Sequence, residues 1–343
     1  MEWPLRTFSD DDEAAAEKAF FWPKWGFSGN CQGQAPIQGK FVLSILFTLS
    51  SLLQAADKIK VITSTTDLAW AAQEIGKDFV EVKPLLKGTE NPHYVDTIPE
   101  FIRLVADAQV VCIIGLELEI GWMPKVLARS GNSQVQQGGK GYCETGKGVT
   151  VLEKPAGPVD RSMGDVHPMG NPHFWLSPKS FTEGAGQITE VLVRVDPTHS
   201  SEFQNNYKAL AKKLEDLQKK NKARLAPLLA KLSGPPLVEY HKEFSYFFNA
   251  YGITSFGSIE EKPGVPPSAG RIAEISTSAK AAGVKLAIGG EYAPKNTLEK
   301  FSEISGIPSK QLPTSVQPDG KIKDYMALQE DLVDALVKAL TKK

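Results

Sequence analysis

The chain is poor in cysteine, in histidine and in charge of either sign to excess. Its three cysteines, Cys31, Cys112 and Cys143, stand far apart in 343 residues. An odd, scattered set excludes a disulfide framework and a thiolate metal cluster. Cys112 lies in the apolar run VVCII and reads as a buried thiol. Lysine plus arginine number 39 against 40 acids, a net charge of -1, so no charge field points to nucleic acid or a membrane surface. Neither a GxxxxGK[ST] phosphate loop nor an HExxH element occurs. Long apolar runs are lacking too. The one that stands out, residues 41–53, is too short to span a bilayer comfortably.

That run has the form of a secretory signal. Lys40 precedes it, Gln54-Ala55-Ala56 follows with small residues, and charge resumes at Asp57. Residues 39–56 therefore read as a signal peptide cleaved near Ala55 or Ala56, and the mature protein as exported to the periplasm or the extracytoplasmic face. With no cysteine at the cleavage point, no lipid anchor is expected. The alternative is a buried helix of a cytosolic protein. Residues 1–38 carry Trp3, Trp22 and Trp25 without periodicity and read as an extension or a misassigned start.

Beyond residue 57, short β-forming runs alternate with helical segments. KIKVITSTTDL, DFVEVKPLL and AQVVCIIGL read as strands, with helices over 68–75, 97–106 and 122–128, then a glycine-rich loop over 131–148. A helix is expected over 176–193. Residues 200–232 follow with Tyr207, Leu210, Leu214 and Leu217 at three- or four-residue spacing and lysines opposite, the pattern of one long amphipathic helix. The alternation then restarts. PPLVEYH and VKLAIGGEY read as strands, 310–316 as a short one, and helices are expected over 242–251, 269–282, 296–304 and 325–340, with Gly252 as a C-cap and a proline-rich loop over 257–268. Such alternation implies parallel sheets covered on both faces. The expected fold is α/β: a lobe over 57–199, a linker helix over 200–232 and a second lobe over 235–343, with a cleft between the lobes.

Four of the five histidines fall beside strand ends or in adjoining loops. His93 and His173 each follow Asn-Pro, in GTENPHYVDTIPE and GNPHFWLSP, and His241 follows LVEY. Proline restricts the backbone just before each donor ring. Ligands gather outside the carboxyl ends of strands in open α/β sheets, so the three imidazoles can converge there although 80 and 68 residues separate them in turn. Imidazoles suit Zn²⁺ and, with added carboxylate, Mn²⁺ or Fe²⁺. His241-Lys242-Glu243 could suggest acid–base chemistry, but Lys242 and Glu243 are expected to face elsewhere on a helix that His241 opens. His199 fits the cap of the long helix. His167 is open between a fifth donor, a mobile metal-recruiting side chain and loop decoration.

The ordered set TSTTDLAWAAQEIG, NPHYVDTIPE, GNPHFWLSP, VEYHKEFSYFFNAYGI, IEEKPGVPPSAGRIAEI, LPTSV and DYMAL resembles the zinc/manganese substrate-binding proteins of bacterial ABC importers, the metal-binding group with a helical linker. The resemblance implies two α/β lobes, a metal held between them as cargo, a membrane permease as partner and no enzymatic activity. The family's three histidine positions match His93, His173 and His241, and its usual aspartate falls at Thr314, a poor Zn²⁺ ligand. Glu291, at the end of LAIGGEY, is the expected fourth ligand, with Asp319 or water behind it. Three imidazoles lean toward zinc over manganese or iron. A long histidine-rich capture loop is absent, His167 being the only histidine in the intervening region. The protein is expected to act as a monomer. Rival readings are a zinc-dependent hydrolase with Glu291 as base, or a metal-stabilised adhesion or structural module.

Overall fold

A computed structural model describes residues 57–341; the expected extension and signal peptide lie outside the described residues. The first lobe runs β1 (Ile59–Thr63), α1 (Thr66–Gly76), β2 (Val80–Pro84), α2 (Pro99–Ala106), β3 (Val110–Ile113), α3 (Met123–Ser130) and β4 (Tyr142–Glu144). Its four strands are parallel in the order β2-β1-β3-β4. The near-continuous apolar runs of β1 and β3 follow from burial on both faces. Side chains alternate: Val61, Val110 and Cys112 enter the core beneath α1, while Ile62, Val111 and Ile113 pack with Phe101 and Trp122 on the other face.

Helices α4 (Pro178–Val195) and α5 (Ser200–Leu229) follow. Thirty helical residues make α5 about 45 Å long. It buries Phe203, Leu210, Leu214, Leu217 and Leu225, the stripe that the spacing anticipates. Its lysine face carries exposed pairs such as Lys219–Glu215, which add little stability. The second lobe then repeats the first: β5 (Leu237–Glu239), α6 (Ser245–Tyr251), β6 (Ser255–Ser258), α7 (Ala269–Ala281), β7 (Leu286–Gly290), α8 (Lys295–Ser305) and β8 (Ser309–Leu312). Its parallel strands take the equivalent order β6-β5-β7-β8. Helix α9 (Tyr325–Thr341) closes the described chain. It runs in step with α5, joined by Lys220–Glu330 and Arg224–Asp334.

The sequence reading differs from the structure in four places, one being the expected strand 310–316, which ends at Leu312 as β8. The expected loop 131–148 contains β4, whose three residues are too few to show a period. Gly141 lets that edge approach, since a Cβ there would stand 2.0 Å from the Gln109 carbonyl oxygen. Likewise, the first two residues of the expected loop 257–268 belong to β6. Finally, α6 starts at Ser245 rather than Lys242. The Glu239 carboxylate accepts the Phe244 N–H at 3.0 Å, which pins a turn after β5 and leaves His241 at the strand end.

The lobes meet at the start of α1. Thr66 Oγ1 donates to the Val316 carbonyl at 2.6 Å, and the Val316 N–H donates to Asp67 Oδ1 at 3.0 Å. Gly88, at φ +94°, makes room, because a Cβ would lie 2.0 Å from that same carbonyl oxygen. Trp175 Nε1 donates to the Thr314 carbonyl at 2.7 Å, and Gln329 Nε2 on α9 donates to the Leu176 carbonyl at 3.0 Å. These bonds set the two sheets with their carboxyl ends facing one cleft.

Candidate metal centre

Each of the three expected histidines reaches the cleft from a short, fixed connection. His93 lies between β2 and α2, in a turn closed by the Tyr94 N–H on the Asn91 carbonyl at 3.2 Å. Buried Trp122 holds that turn by donating its Nε1–H to the Pro92 carbonyl at 2.9 Å. His173 precedes α4, whose N-cap Ser177 and first-turn Pro178 start the helix just beyond. His241 stands two residues past β5. Glu260 stands two residues past β6, and the ladder continues to it: the Ile259 N–H donates to the Glu239 carbonyl at 2.8 Å and the Glu260 N–H to the Tyr240 carbonyl at 3.0 Å. Adjacent parallel strands thereby set the imidazole beside the carboxylate.

The two Asn-Pro-His elements share one device. Asn91 Oδ1 accepts the His93 backbone N–H at 3.0 Å and faces His93 Nδ1 at 2.9 Å. Asn171 Oδ1 does the same for His173, at 3.0 and 2.9 Å. A backbone N–H only donates, so the amide atom it meets must be the oxygen; the ring nitrogen facing that oxygen must then carry hydrogen. Nδ1 is therefore the protonated nitrogen and Nε2 keeps its lone pair. For His241 the acceptor is a carboxylate, Glu260 Oε2 at 2.8 Å, itself held by the Gly264 N–H at 3.0 Å. Such oxygen partners on the remote nitrogen orient metal-binding histidines.

The three rings converge. One donor atom from each of His93, His173 and His241 lies within 4.8 Å of the other two, and the ring centroids are 5.1 to 5.5 Å apart. Nitrogens around a tetrahedral Zn²⁺ at about 2.0–2.1 Å would sit about 3.4 Å apart, so inward shifts below about 1 Å close the set. His93 Nε2 and His173 Nε2 are buried without any hydrogen-bond partner. Lone pairs of this kind are costly unless a cation or donor meets them, and the donor set therefore fits a divalent transition metal.

Electrostatics keep this set ready. Burial, then the neighbouring imidazoles, hold His93 and His173 well below the ordinary histidine range, so both rings are neutral. Burial also pulls on His241, but the Glu260 hydrogen bond and the Glu243 charge outweigh it and raise that ring.

The carboxylates fall differently from expectation. Glu291 is exposed, its side chain bonded to Gln317 Nε2 and its carbonyl to Gln311 Nε2; it is not among the converging donors. Asp319 is exposed as well, and Thr314 is buried with its carbonyl on Trp175. Glu243 does not face away on a helix. It is fully buried beneath His241, where it accepts the Gly290 N–H at 2.6 Å and the Tyr292 hydroxyl. His199 caps against Asp196 Oδ2 at 2.5 Å, far along the chain from any donor. The sequence reading missed Glu260 and the amides of Asn91 and Asn171. An Asn two residues before each histidine is the Asx pattern that signals them.

Asn171 also joins the lobes. While Oδ1 fixes His173, Nδ2 donates at 2.8 Å to the carbonyl of Lys242, the neighbour of His241. Asn171→Ala is expected to weaken metal binding about 10- to 100-fold, in line with other losses of a ligand-orienting partner. Chelator competition on wild type and variant measures it, and an unchanged affinity would remove the orienting role.

Fold and site together define a class: a two-lobed α/β receptor with a rigid helical connector and a buried imidazole cluster in the cleft. The chain belongs to the ZnuA family, zinc-uptake complex component A, periplasmic, whose pattern matches residues 61–339. The high-affinity zinc uptake system protein ZnuA of Bacillus subtilis (strain 168) is 24% identical over 323 residues, covering 89% of this chain and 98% of the relative. The manganese ABC transporter substrate-binding lipoprotein PsaA of Streptococcus pneumoniae is 24% identical over 304 residues, covering 85% and 92%. In fold, the crystal structure of a zinc-bound ZnuA deletion mutant aligns with a TM-score of 0.69 at 22% identity, over 84% of this chain and 100% of the other. The protein is thus a periplasmic divalent-metal binding protein of an ABC uptake system, in a family of carriers and not of enzymes. The hydrolase reading ends there.

Proposed function

We propose that this protein captures Zn²⁺ through Nε2 of His93, His173 and His241 and delivers it to a membrane ABC permease. The observation that carries the proposal is the convergence of one ring nitrogen from each of three histidines, with each Nδ1 facing an oxygen acceptor and so leaving Nε2 as the donor. Relatives of this chain are named for zinc, iron and manganese, so the names do not choose the ion. The donors do. Neutral imidazoles suit Zn²⁺, whereas Mn²⁺ stands lower in the affinity order and favours oxygen. The carboxylate in contact with His241, Glu260, is engaged with its Nδ1. The permease partner follows from family membership, and zinc is its cargo here.

The test is metal competition at two pH values. At pH 7.5, zinc is expected to bind at least about 100-fold more tightly than manganese. At pH 5.5 zinc affinity should fall, because a proton competes for the lone pair the metal needs. The Glu260 hydrogen bond and the Glu243 charge raise His241 above the ordinary histidine value, so it takes that proton before His93 or His173. Manganese binding as tightly as zinc would overturn the choice of ion.

A further inference from the structure

The donor set of three histidines leaves one tetrahedral position, and a fourth histidine stands near the set although its ring nitrogens lie outside the 4.8 Å group. His167 packs against His93 with ring centroids 5.2 Å apart, and its Nε2 is buried with no hydrogen-bond partner. With His173 and His241 it lines one cavity of about 220 Å³. Its backbone is held on both sides. Two residues upstream, the Asp165 N–H donates at 2.8 Å to the Pro263 carbonyl in the second lobe, and the Asp165 carboxylate takes the Tyr94 hydroxyl from the first. Three residues downstream, the Gly170 N–H donates to the His167 carbonyl at 3.0 Å, and the Asn171 N–H next to it donates to the Leu152 carbonyl at 2.9 Å. Gly164 and Gly170, at φ +80° and +104°, take the left-handed conformations that let the segment fold in this way. A side chain held like this is placed, not trailing. The oxygen donors expected for the fourth position are elsewhere: Glu291 and Asp319 are exposed, and Thr314 offers only a hydroxyl.

We propose that His167 Nε2 is the fourth metal donor, which makes the site an all-imidazole one selective for a borderline divalent ion such as Zn²⁺ over oxygen-seeking Mn²⁺. This rests on the reading of the cleft as a zinc site. The neutral ring donates a lone pair; no bond to hydrogen breaks and no electron moves to or from the metal. Because the segment that carries His167 is tied to both lobes, the fourth bond draws on contacts from each.

The test uses the full chain, loaded with Zn²⁺ or Co²⁺. X-ray absorption on the zinc-loaded wild type should count four imidazoles, and three for His167→Ala. That variant should bind zinc about 10- to 100-fold more weakly, less than a full ligand's share of a structural zinc site because His167 is only partly buried and water can replace it, and its cobalt visible spectrum should lose tetrahedral intensity as water takes the position. His167→Asp should recover part of the affinity and raise manganese relative to zinc, a change that a merely structural role would not produce. His199→Ala, whose ring bonds Asp196 outside the cleft, should match wild type. Three imidazoles in wild type, or identical zinc affinity and cobalt spectra for wild type and His167→Ala, would overturn the fourth donor and leave the three-histidine reading standing. Failure of wild type to bind zinc would overturn both.

Discussion

His173→Ala is expected to lower zinc affinity by two to three decades while the apo protein keeps its fold. A structural zinc site is worth about 10–16 kcal/mol, so each of four ligands carries about 3 kcal/mol, and a decade in affinity costs about 1.4 kcal/mol. His173 is the most buried of the converging donors, at 1% exposure, so water reaches its place poorly when the ring is gone. Truncation also removes a buried nitrogen that has no hydrogen-bond partner, which offsets part of the lost packing in the metal-free state. The thermal midpoint of the apo variant should therefore lie near that of wild type, while zinc raises the midpoint far less than it does in wild type. Chelator competition at pH 7.5 with parallel melting curves separates the two effects. An affinity within threefold of wild type would remove His173 from the site.

The second large effect concerns stability and lies at the lobe junction. Asp67 is fully buried; its Oδ1 accepts the Val316 N–H, its Oδ2 has no partner, and burial pushes its carboxyl up to about 7. The folded state therefore holds a proton that the unfolded chain releases at its ordinary value, near 3.8. A raised folded pKa contributes stability that is complete below about 3.8 and is lost as pH rises through about 7. Asp67→Asn keeps an oxygen for Val316 and does not titrate. The stability difference, variant minus wild type, should thus grow by about 2 kcal/mol from pH 5.5 to 8 and level off above, at about 1.4 kcal/mol per pH unit below the folded pKa. That is about 3 °C in melting temperature for a chain of this size. Histidine titrations are common to both proteins and cancel in the difference. A difference that stays constant over this range would show that Asp67 is charged in the folded state.

Much of the architecture was legible because it rests on local signals. The apolar runs around Val61 and Val111 and the leucine stripe of α5 carry their own periods. The paired Asn-Pro-His elements announced His93 and His173, since the proline acts on the backbone just before each ring. What was not legible depends on register between segments distant in sequence. Glu260 becomes the partner of His241 only because β6 pairs with β5 and both chains run two residues past their strands. Glu291 has the same relation to its strand end, one residue beyond β7, yet its side chain bonds Gln317 at the surface, and nothing in LAIGGEY gives that direction. His167 stayed open between donor, recruiting side chain and loop decoration for the same reason: the bonds that fix it, from Asp165 to Pro263 and Tyr94, join residues 98 and 71 positions apart.

The most direct measurement is the anomalous X-ray signal of zinc in crystals of the full chain loaded with the ion. The account predicts one strong peak in the cleft with Nε2 of His93, His173 and His241 at about 2.0–2.1 Å. A zinc peak bound elsewhere, or one in the cleft held by carboxylates with those imidazoles turned away, would contradict it.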